Sequence, residues 1–338
     1  MTEIQKFGQL GNRQIDAITL HSEKLSFTVL NYGATIQKIL VRAKNGRQYD
    51  VCQGYDTLKE YCENEGYFGA AIGRNGNRIR KAQYTYQGKT YHLRPNEGEN
   101  QLHGGLHGLN EKIFTYETDE NSVTMHASFC DGEEGYPGNL DLTVRYCISE
   151  ENGLRIDYDA QADQDTVANF TNHTYFNLDG AGSGTILEHT LFLDADSFTP
   201  TDEKLILTGE IRKAAGTCMD FRTPKKIGRD IGDAFLAPFG GYDHNFCLNG
   251  SGMREVARLT AQNSGISMTI ETTLEGLQFY AGNCIVPGIR KDGKFYGKYY
   301  AMCLETQHYP DAVNHENFKS SILKKGEKLH ETTIYRFL

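Results

Sequence analysis

Apolar and polar residues alternate with a period of two along much of this chain. Three segments show the pattern most clearly, namely residues 122–129, 140–148 and 154–160. Successive side chains of a strand point to opposite faces of a sheet, so this period indicates strands that bury one face. Further candidates are residues 26–31, 189–193, 266–272 and 331–337. The pattern predicts an all-β fold.

Helical periodicity is scarce, whereas turn signals are frequent. Residues 56–64 and 229–236 are the two short segments that could be helical. Pairs such as Asn45-Gly46 and Asn152-Gly153 supply the positive φ angles of tight hairpins. Nothing in the sequence marks a domain boundary. We therefore predict a single domain over residues 1–338, an antiparallel β-sandwich with few short helices.

Composition restricts the partners of the protein. The chain has 44 acidic and 35 basic residues, which gives a formal net charge of −9. This sign opposes binding to nucleic acid or to an anionic membrane. No run of 18 apolar residues is present, and the eight cysteines are scattered without a Cys-x-x-Cys pair. The sequence also has no secretion signal, so we expect a cytoplasmic protein with reduced thiols.

Polar residues that are costly to bury occur in residues 172–178. Read as one strand, this segment places Phe176 on the core face and His173, Tyr175 and Asn177 on the other. An imidazole, a phenol and an amide need hydrogen-bond partners when they are buried. This face therefore predicts the floor of a polar pocket.

Two later strands carry further candidates. Glu305 lies in the apolar segment 301–309 and shares a face with Cys303, so it could be a base or could form a structural ion pair. Gln278 alternates with apolar residues in segment 276–283. An amide offers both donors and an acceptor to neutral hydroxyls, although a glutamine facing solvent is the simpler interpretation.

The loop of residues 73–80 is rich in glycine and arginine. It lacks the ending of a phosphate-binding loop, so a nucleotide site is disfavoured. Asn77 and Arg78 suit hydrogen bonding to a polar ligand, and Arg78 offers a planar fork of donors. The alternative for Arg78 is an arginine exposed on a turn.

Two other loops contain histidine. His103 and His107 have the spacing of a helical metal-binding pair, but the glycines of residues 98–108 favour a loop, and no metal site is expected. Asp243 and His244 are adjacent between apolar residues. This second pair could be structural or could orient ligand hydroxyls.

Six motifs follow one another along the chain: Gly73-Arg74-x-x-Asn77-Arg78-Ile79, Asn100-Gln101-Leu102-His103-Gly104-Gly105, Asp131-Gly132-Glu133-Glu134-Gly135-Tyr136-Pro137-Gly138, Asn172-His173-Thr174-Tyr175-Phe176-Asn177-Leu178, Asp243-His244-Asn245-Phe246 and Leu304-Glu305-Thr306-Gln307. In this order they resemble the aldose 1-epimerases, also called galactose mutarotases, over roughly residues 31–315. The chain departs from the family pattern at Gly76, at Tyr242 and over residues 283–286.

The resemblance implies a large antiparallel β-supersandwich that interconverts the α and β anomers of free hexoses such as galactose and glucose. It implies that Glu305 is the general base and His173 the general acid. The implied sugar-binding residues are Asn77, Arg78, His103, Asp243 and Gln278. Tyr175 is added as an aromatic residue of the same site. Anomer exchange involves no redox step and no phosphate, so we expect neither a cofactor nor a metal.

Donation by His173 requires a cationic imidazole, which Glu305 or Asp243 should support against the cost of burial. Two other functions stay open. A hexose-6-phosphate 1-epimerase would need a cationic cluster, for which Arg74, Arg78 and Arg80 are the candidates. A non-catalytic sugar-binding module would not need the Glu305 and His173 pair. The sequence does not distinguish a monomer from a homodimer.

Overall fold

The computed structural model describes residues 2–63 and 66–338, most of which form antiparallel strands or the turns between them. The strands are β1 (Thr2–Leu10), β2 (Arg13–His21), β3 (Leu25–Leu30), β4 (Thr35–Arg42), β5 (Gln48–Asp50), β6 (Ala71–Ile72), β7 (Arg78–Ile79), β8 (Gln83–Tyr86), β9 (Lys89–His92), β10 (Gln101–Leu102), β11 (Thr115–Thr118), β12 (Ser122–Phe129), β13 (Leu140–Ser149), β14 (Gly153–Ala162), β15 (Thr166–Val167), β16 (Thr171–Asn172), β17 (Tyr175–Phe176), β18 (Thr190–Leu193), β19 (Ser197–Thr199), β20 (Arg212–Lys213), β21 (Lys225–Lys226), β22 (Asp243–Cys247), β23 (Arg254–Thr260), β24 (Ser267–Thr272), β25 (Gly276–Tyr280), β26 (Gly288–Arg290), β27 (Lys294–Tyr296), β28 (Met302–Gln307), β29 (Ile322–Leu323) and β30 (Lys328–Phe337).

Three sheets organise these strands. The first five strands form one sheet in the order β1-β2-β3-β4-β5. A nine-stranded sheet has the order β11-β12-β13-β14-β30-β24-β23-β18-β21, and a six-stranded sheet has the order β17-β28-β25-β22-β19-β20. The remaining strands pair in twos. The predicted all-β antiparallel fold is confirmed.

Period-two alternation located β12, β13 and β14, whereas four other strands of seven to nine residues, β1, β2, β4 and β23, were not predicted. β12 has the predicted bounds, and β13 and β14 extend the predicted segments by one to three residues. In β13 the buried Leu140, Leu142 and Val144 alternate with less buried neighbours. These side chains join a core cluster that also includes Phe27 of β3 and Phe279 of β25, so one core contacts all three sheets. Full burial of each such side chain contributes about 1.5–3 kcal/mol.

Helices are few and short. Within the described ranges α1 (Leu58–Glu63) is the one α-helix. The helix predicted at 56–64 is confirmed from residue 58 to 63; residues 56 and 57 are not helical, and residue 64 lies outside the described residues. The helix predicted at 229–236 is wrong, because the chain there forms turns. Asp233 accepts a hydrogen bond from the backbone N–H of Phe235 at 2.8 Å, a local contact that competes with helical bonding.

Single 3-10 turns occur at Arg80–Ala82, Leu109–Glu111, Glu133–Gly135, Glu150–Asn152, Ile186–Glu188, Ile227–Arg229, Ala237–Phe239, Lys291–Gly293 and Ala312–Asn314. Among the described residues, none of the helices has both the length and the apolarity that crossing a membrane requires.

The segment 172–178 is not one continuous strand, which corrects the prediction. β16 ends at Asn172, and β17 begins at Tyr175. The side-chain oxygen of Asn172 accepts hydrogen bonds from the backbone N–H of Thr174, at 3.1 Å, and from its hydroxyl, at 2.5 Å. This local turn interrupts the ladder and leaves His173 at the break.

Candidate active site

One face of the six-stranded sheet forms the floor of the site. Gln278 of β25 lies directly opposite Glu305 of β28, so both side chains leave the sheet on the same face. A second row lies two residues further along these strands. It consists of Asp243 of β22, Tyr280 of β25 and Cys303 of β28, which are paired side by side. The predicted alternation of these strands is therefore confirmed, and it groups three of the predicted site residues.

The opposite face of this sheet belongs to the core. Leu304 and Phe279 are buried there, and the ring of His244 packs against Phe239 with centroids 4.8 Å apart. Burial lowers the pKa of His244 to about 4, so its ring is neutral near pH 7. Of the adjacent Asp243 and His244, the carboxylate faces the site and the imidazole is structural.

One wall of the site comes from the loops next to β7 and β10. The two strands pair, and beyond their last paired residues the backbone N–H of His103 donates to the carbonyl of Asn77 at 3.0 Å. In return, the N–H of Asn77 donates to Nδ1 of His103 at 3.1 Å. Since Nδ1 accepts, the neutral ring carries its proton on Nε2. Burial, with His173 and Arg78 nearby, lowers the pKa of His103 well below its usual value.

His173 is held at the break between β16 and β17 by its backbone. Its N–H donates to the carbonyl of Ala70, and its own carbonyl accepts from the N–H of Gly69, both at 2.9 Å. The ring then lies between two side chains of β28. Nδ1 is 3.4 Å from Sγ of Cys303, and Nε2 is 3.8 Å from Oε1 of Glu305.

Burial shifts the two proposed catalytic groups in opposite directions. It lowers the pKa of His173 to about 4 and raises the pKa of Glu305 well above its usual value. The charge of Asp243 raises the Glu305 pKa further, whereas Arg78 opposes the shift. In the sugar-free protein the imidazole is therefore neutral near pH 7. The stabilisation of the charged ring that we expected from a nearby carboxylate does not offset the cost of burying that charge.

All eight predicted site residues line one cavity of about 560 Å³, a volume typical of small-molecule sites. They are Asn77, Arg78, His103, His173, Tyr175, Asp243, Gln278 and Glu305. Tyr175 contributes its ring, because its hydroxyl donates to the carbonyl of Gly66 at 2.8 Å. The structure thus brings together residues that are up to 228 positions apart, from 77 to 305.

Two charged or polar contacts hold the sugar-binding candidates in place. Nε and one terminal nitrogen of Arg78 each donate to Glu97 at 2.6 Å, which forms a bidentate pair. Nε2 of Gln278 donates to Oδ1 of Asp243 at 2.6 Å. Sequence reasoning missed Glu97, since nothing local indicates that its loop returns to Arg78.

Two buried acceptors in the cavity have no hydrogen-bond partner in the described part of the chain. They are Oε2 of Glu305 and Oε1 of Gln278. Leaving such atoms unpaired costs about 1–3 kcal/mol each, and more for a charged group. A ligand with several hydroxyl donors, delivered to this face, would satisfy both.

Two tyrosines of the cavity and one thiol behind it were not predicted as site residues. Tyr67 packs edge-on against His103 with ring centroids 4.8 Å apart, and Tyr280 lines the same cavity. Cys303 contacts His173 directly. Cys303 could have been found from the sequence, because it lies two residues before Glu305 on the same strand face.

Two of the departures from the family pattern lie at or near the cavity, and neither belongs to the strands of its floor. Cys284, Ile285 and Val286 line the cavity, and Val286 is 69% exposed. A Cβ added to Gly76 would lie 3.1 Å from Cγ2 of Thr171. Neither departure removes a side chain that contacts Glu305 or His173.

The pair His103 and His107 does not form a metal site. His103 is buried in the cavity, whereas His107 is exposed and lies 2.9 Å from Glu111. The glycine-rich loop predicted there is confirmed, since residues 103–108 form turns and bends rather than a helix.

Sequence comparison identifies similar proteins over nearly the whole chain. The family described as aldose 1-epimerase matches residues 16–336. A galactose mutarotase of Bos taurus is 41% identical over 330 residues, which cover 97% of this chain and 95% of that protein. An aldose 1-epimerase of Escherichia coli is 33% identical over 317 residues, covering 92% and 91%.

Structure comparison points the same way. The crystal structure of a galactose 1-epimerase from Lactobacillus acidophilus is similar with a TM-score of 0.88 and 29% sequence identity. The match covers 100% of this chain and 98% of that one. The predicted resemblance is therefore confirmed in both sequence and fold.

Proposed function

This chain belongs to the aldose 1-epimerase family, and from that premise we propose that it interconverts the α and β anomers of free hexoses such as D-galactose and D-glucose. The observation that carries the proposal is the pair of Glu305 and His173, 3.8 Å apart at the floor of a cavity. The cavity also offers an arginine, amides and a carboxylate to ligand hydroxyls. Anomer exchange needs one group to take a proton and another to give one.

Ring opening moves two protons and breaks one bond. Glu305 removes the proton of the C1 hydroxyl, the bond between C1 and the ring oxygen breaks, and His173 donates a proton to that oxygen. The aldehyde rotates about the C1–C2 bond, and ring closure on its other face reverses both transfers. Each positioned transfer contributes about 10²–10⁴-fold to the rate.

The other polar groups hold the sugar by hydroxyls remote from C1, so that the aldehyde is free to rotate. We assign this binding to Arg78, Asn77, His103, Asp243 and Gln278. Nε2–H of His103 is a donor, and Oε1 of Gln278 is an acceptor that has no partner in the described chain. Tyr175 packs beside His173, with ring centroids 5.0 Å apart, and offers an apolar surface.

The charges of the cavity favour a neutral sugar over a hexose phosphate. Its described lining has four carboxyl groups, those of Glu63, Glu97, Asp243 and Glu305, but two guanidinium groups. Arg78 is already paired with Glu97.

The cationic cluster considered for a phosphate does not assemble. Arg74 is buried away from the cavity and donates to the carbonyls of Pro137 and Gly138. Arg80 lies 3.9 Å from Asp311. These contacts argue against the hexose-6-phosphate alternative.

We also propose that the protein works in the cytoplasm, which its eight free cysteines support, because reduced thiols are usual there.

Polarimetry of freshly dissolved α-D-galactose tests the proposal. Pure protein should accelerate the approach to anomeric equilibrium, and glucose 6-phosphate should be a poorer substrate than glucose. Glu305→Gln and His173→Asn should each lower kcat by about 10²-fold or more with a modest change in KM. If the protein binds galactose in calorimetry without accelerating anomer exchange, it is a sugar-binding module instead.

A further inference from the structure

Three side chains in or directly beneath the cavity floor place metal-ligand atoms close to one another. His173, Cys303 and Glu305 each supply one such atom, and these atoms lie within 4.8 Å of one another. All three residues are buried. Among residues 2–63 and 66–338, this is the one group of three histidine, cysteine or acidic side chains with that geometry.

The donor set suits a borderline-soft divalent cation. Thiolate, imidazole and carboxylate are the ligands of protein zinc sites, whereas calcium and magnesium prefer oxygen alone. The bond lengths of a tetrahedral zinc place its ligand atoms about 3.5 Å apart. Sγ of Cys303 is already 3.4 Å from Nδ1 of His173. The third ligand atom, on Glu305, lies within 4.8 Å of the other two. Side-chain rotations that move these atoms by about 1 Å would bring it to the spacing of a tetrahedral ion.

A second observation points to a ligand at this position. Oε2 of Glu305 is buried, has no hydrogen-bond partner in the described chain, and belongs to a side chain that lines the cavity. A cation entering through the cavity would satisfy this oxygen. Three protein ligands would leave the fourth position of a tetrahedral ion open to the cavity, as in sites that exchange a bound hydroxyl.

We propose that His173, Cys303 and Glu305 bind Zn²⁺ reversibly and that the bound ion excludes the sugar. On binding, the thiol of Cys303 and the carboxyl group of Glu305 each release a proton to the buffer, and the sulfur and a carboxylate oxygen then bond to the ion. The ion lies between the two groups that must contact the sugar's O1 and ring oxygen. Zinc and hexose therefore compete for one position, which goes beyond the proposed catalytic function.

Titration calorimetry of the sugar-free protein with Zn²⁺ alone tests the site. We expect one ion per chain, and saturating galactose should weaken the apparent affinity. Cys303→Ser should weaken binding by at least about tenfold, since even residues that only support a ligand commonly cost about 10–100-fold. Cys284→Ser is the matched control, because it removes a thiol that lines the cavity but lies outside the proposed ligand set. Its affinity should stay within about twofold of wild type.

The same titration can overturn the proposal. Absence of one-to-one binding, equal affinity in Cys303→Ser and wild type, or a loss confined to Cys284→Ser would each refute it. These results do not depend on turnover, so failure of the epimerase proposal would be seen separately in polarimetry.

A spectroscopic readout covers the case in which Cys303→Ser does not fold. Co²⁺ added to the wild-type protein should give a thiolate-to-cobalt charge-transfer band and the strong visible absorption of a tetrahedral ion. Galactose should remove both signals in proportion to its occupancy. If the wild-type spectrum shows no thiolate band, Cys303 is not a ligand and the proposal fails.

Discussion

The His173→Asn substitution separates the roles of the two proposed catalytic groups. In the sugar-free protein, burial lowers the pKa of His173 to about 4 and raises that of Glu305 well above its usual value. Between these two pKa values the pair holds one proton, and that proton is on the carboxyl group. Ring opening, as proposed, requires it on the imidazole.

The size of the resulting penalty follows from the pKa of His173. A shift from 6.5 to about 4 corresponds to about 3 kcal/mol against the charged ring, at about 1.4 kcal/mol per pKa unit. The raised pKa of Glu305 adds to this penalty, because the proton must leave the carboxyl group before the imidazole can carry it. Wild-type kcat/KM should stay level above about pH 4 and fall as the pH rises through the raised pKa of Glu305, because the pair then loses its only proton.

In His173→Asn the pH dependence should reverse. Glu305 is then the one titrating member of the pair, and a base acts only when it is ionised. The residual rate, about 10²-fold or more below wild type, should therefore rise as the pH passes the raised pKa of Glu305. Initial rates from α-D-galactose, measured by polarimetry in a chelating buffer and corrected for the uncatalysed reaction, would give both profiles.

Glu305→Gln is the matched control for this experiment. It leaves His173 to act alone as the acid, so its residual rate should fall as the pH rises. A His173→Asn rate that falls with rising pH would make Glu305 the acid and refute the assignment. An imidazole of His173 that titrates near its ordinary pKa in NMR spectra of the sugar-free protein would refute the burial argument.

Three other substitutions test particular contacts. Asp243→Asn should shift the alkaline limb of the wild-type kcat/KM profile to lower pH, because the Asp243 charge adds to the effect of burial in raising the Glu305 pKa. Arg78→Lys should raise KM about tenfold, because lysine lacks the planar fork of donors and loses one charged hydrogen bond of about 1.5 kcal/mol to the sugar hydroxyls. Lys291→Met should lower the free energy of unfolding by about 3 kcal/mol in urea titrations, because Lys291 is 1% exposed and its ammonium group contacts a carboxylate at 2.9 Å.

Each of these substitutions has a control in the same region. Glu63→Gln removes another carboxylate of the cavity and should leave the alkaline limb in place. Arg290→Lys alters the other cavity arginine and should change KM less than Arg78→Lys. Lys294→Met, at an exposed position three residues after Lys291, should change the unfolding free energy by less than about 0.5 kcal/mol. Equal effects of a substitution and its control would contradict the corresponding prediction.

The strands that the sequence predicted well are those that bury one face and expose the other. β12 is the clearest case, because Val123 and Met125 are buried while His126 is exposed. β1 went unpredicted because its side chains are mostly exposed, so no apolar alternation marks it. β1 forms a strand because it pairs with β2. No alternation of apolar and polar residues in its own sequence indicates that pairing.

The site was predicted through residue types and motif order, and its geometry was not. The sequence indicated that Glu305 and Gln278 lie on strands, but the register that places them opposite each other is a long-range property. The interruption at His173 depended on a side-chain bond of Asn172 that competes with strand pairing. The neutral state of His173 followed from burial, which a motif does not reveal.

Strand β30 has a consequence for synthesis of the protein. It lies between β14 and β24 near the middle of the nine-stranded sheet, yet it follows both of them in the chain. A ribosome that has made residues 1–327 has produced both neighbours but not the strand that joins them. Until β30 is available, β14 and β24 present open edges that can pair with other chains. Nascent chains should therefore need protection from aggregation until β30 has been synthesised.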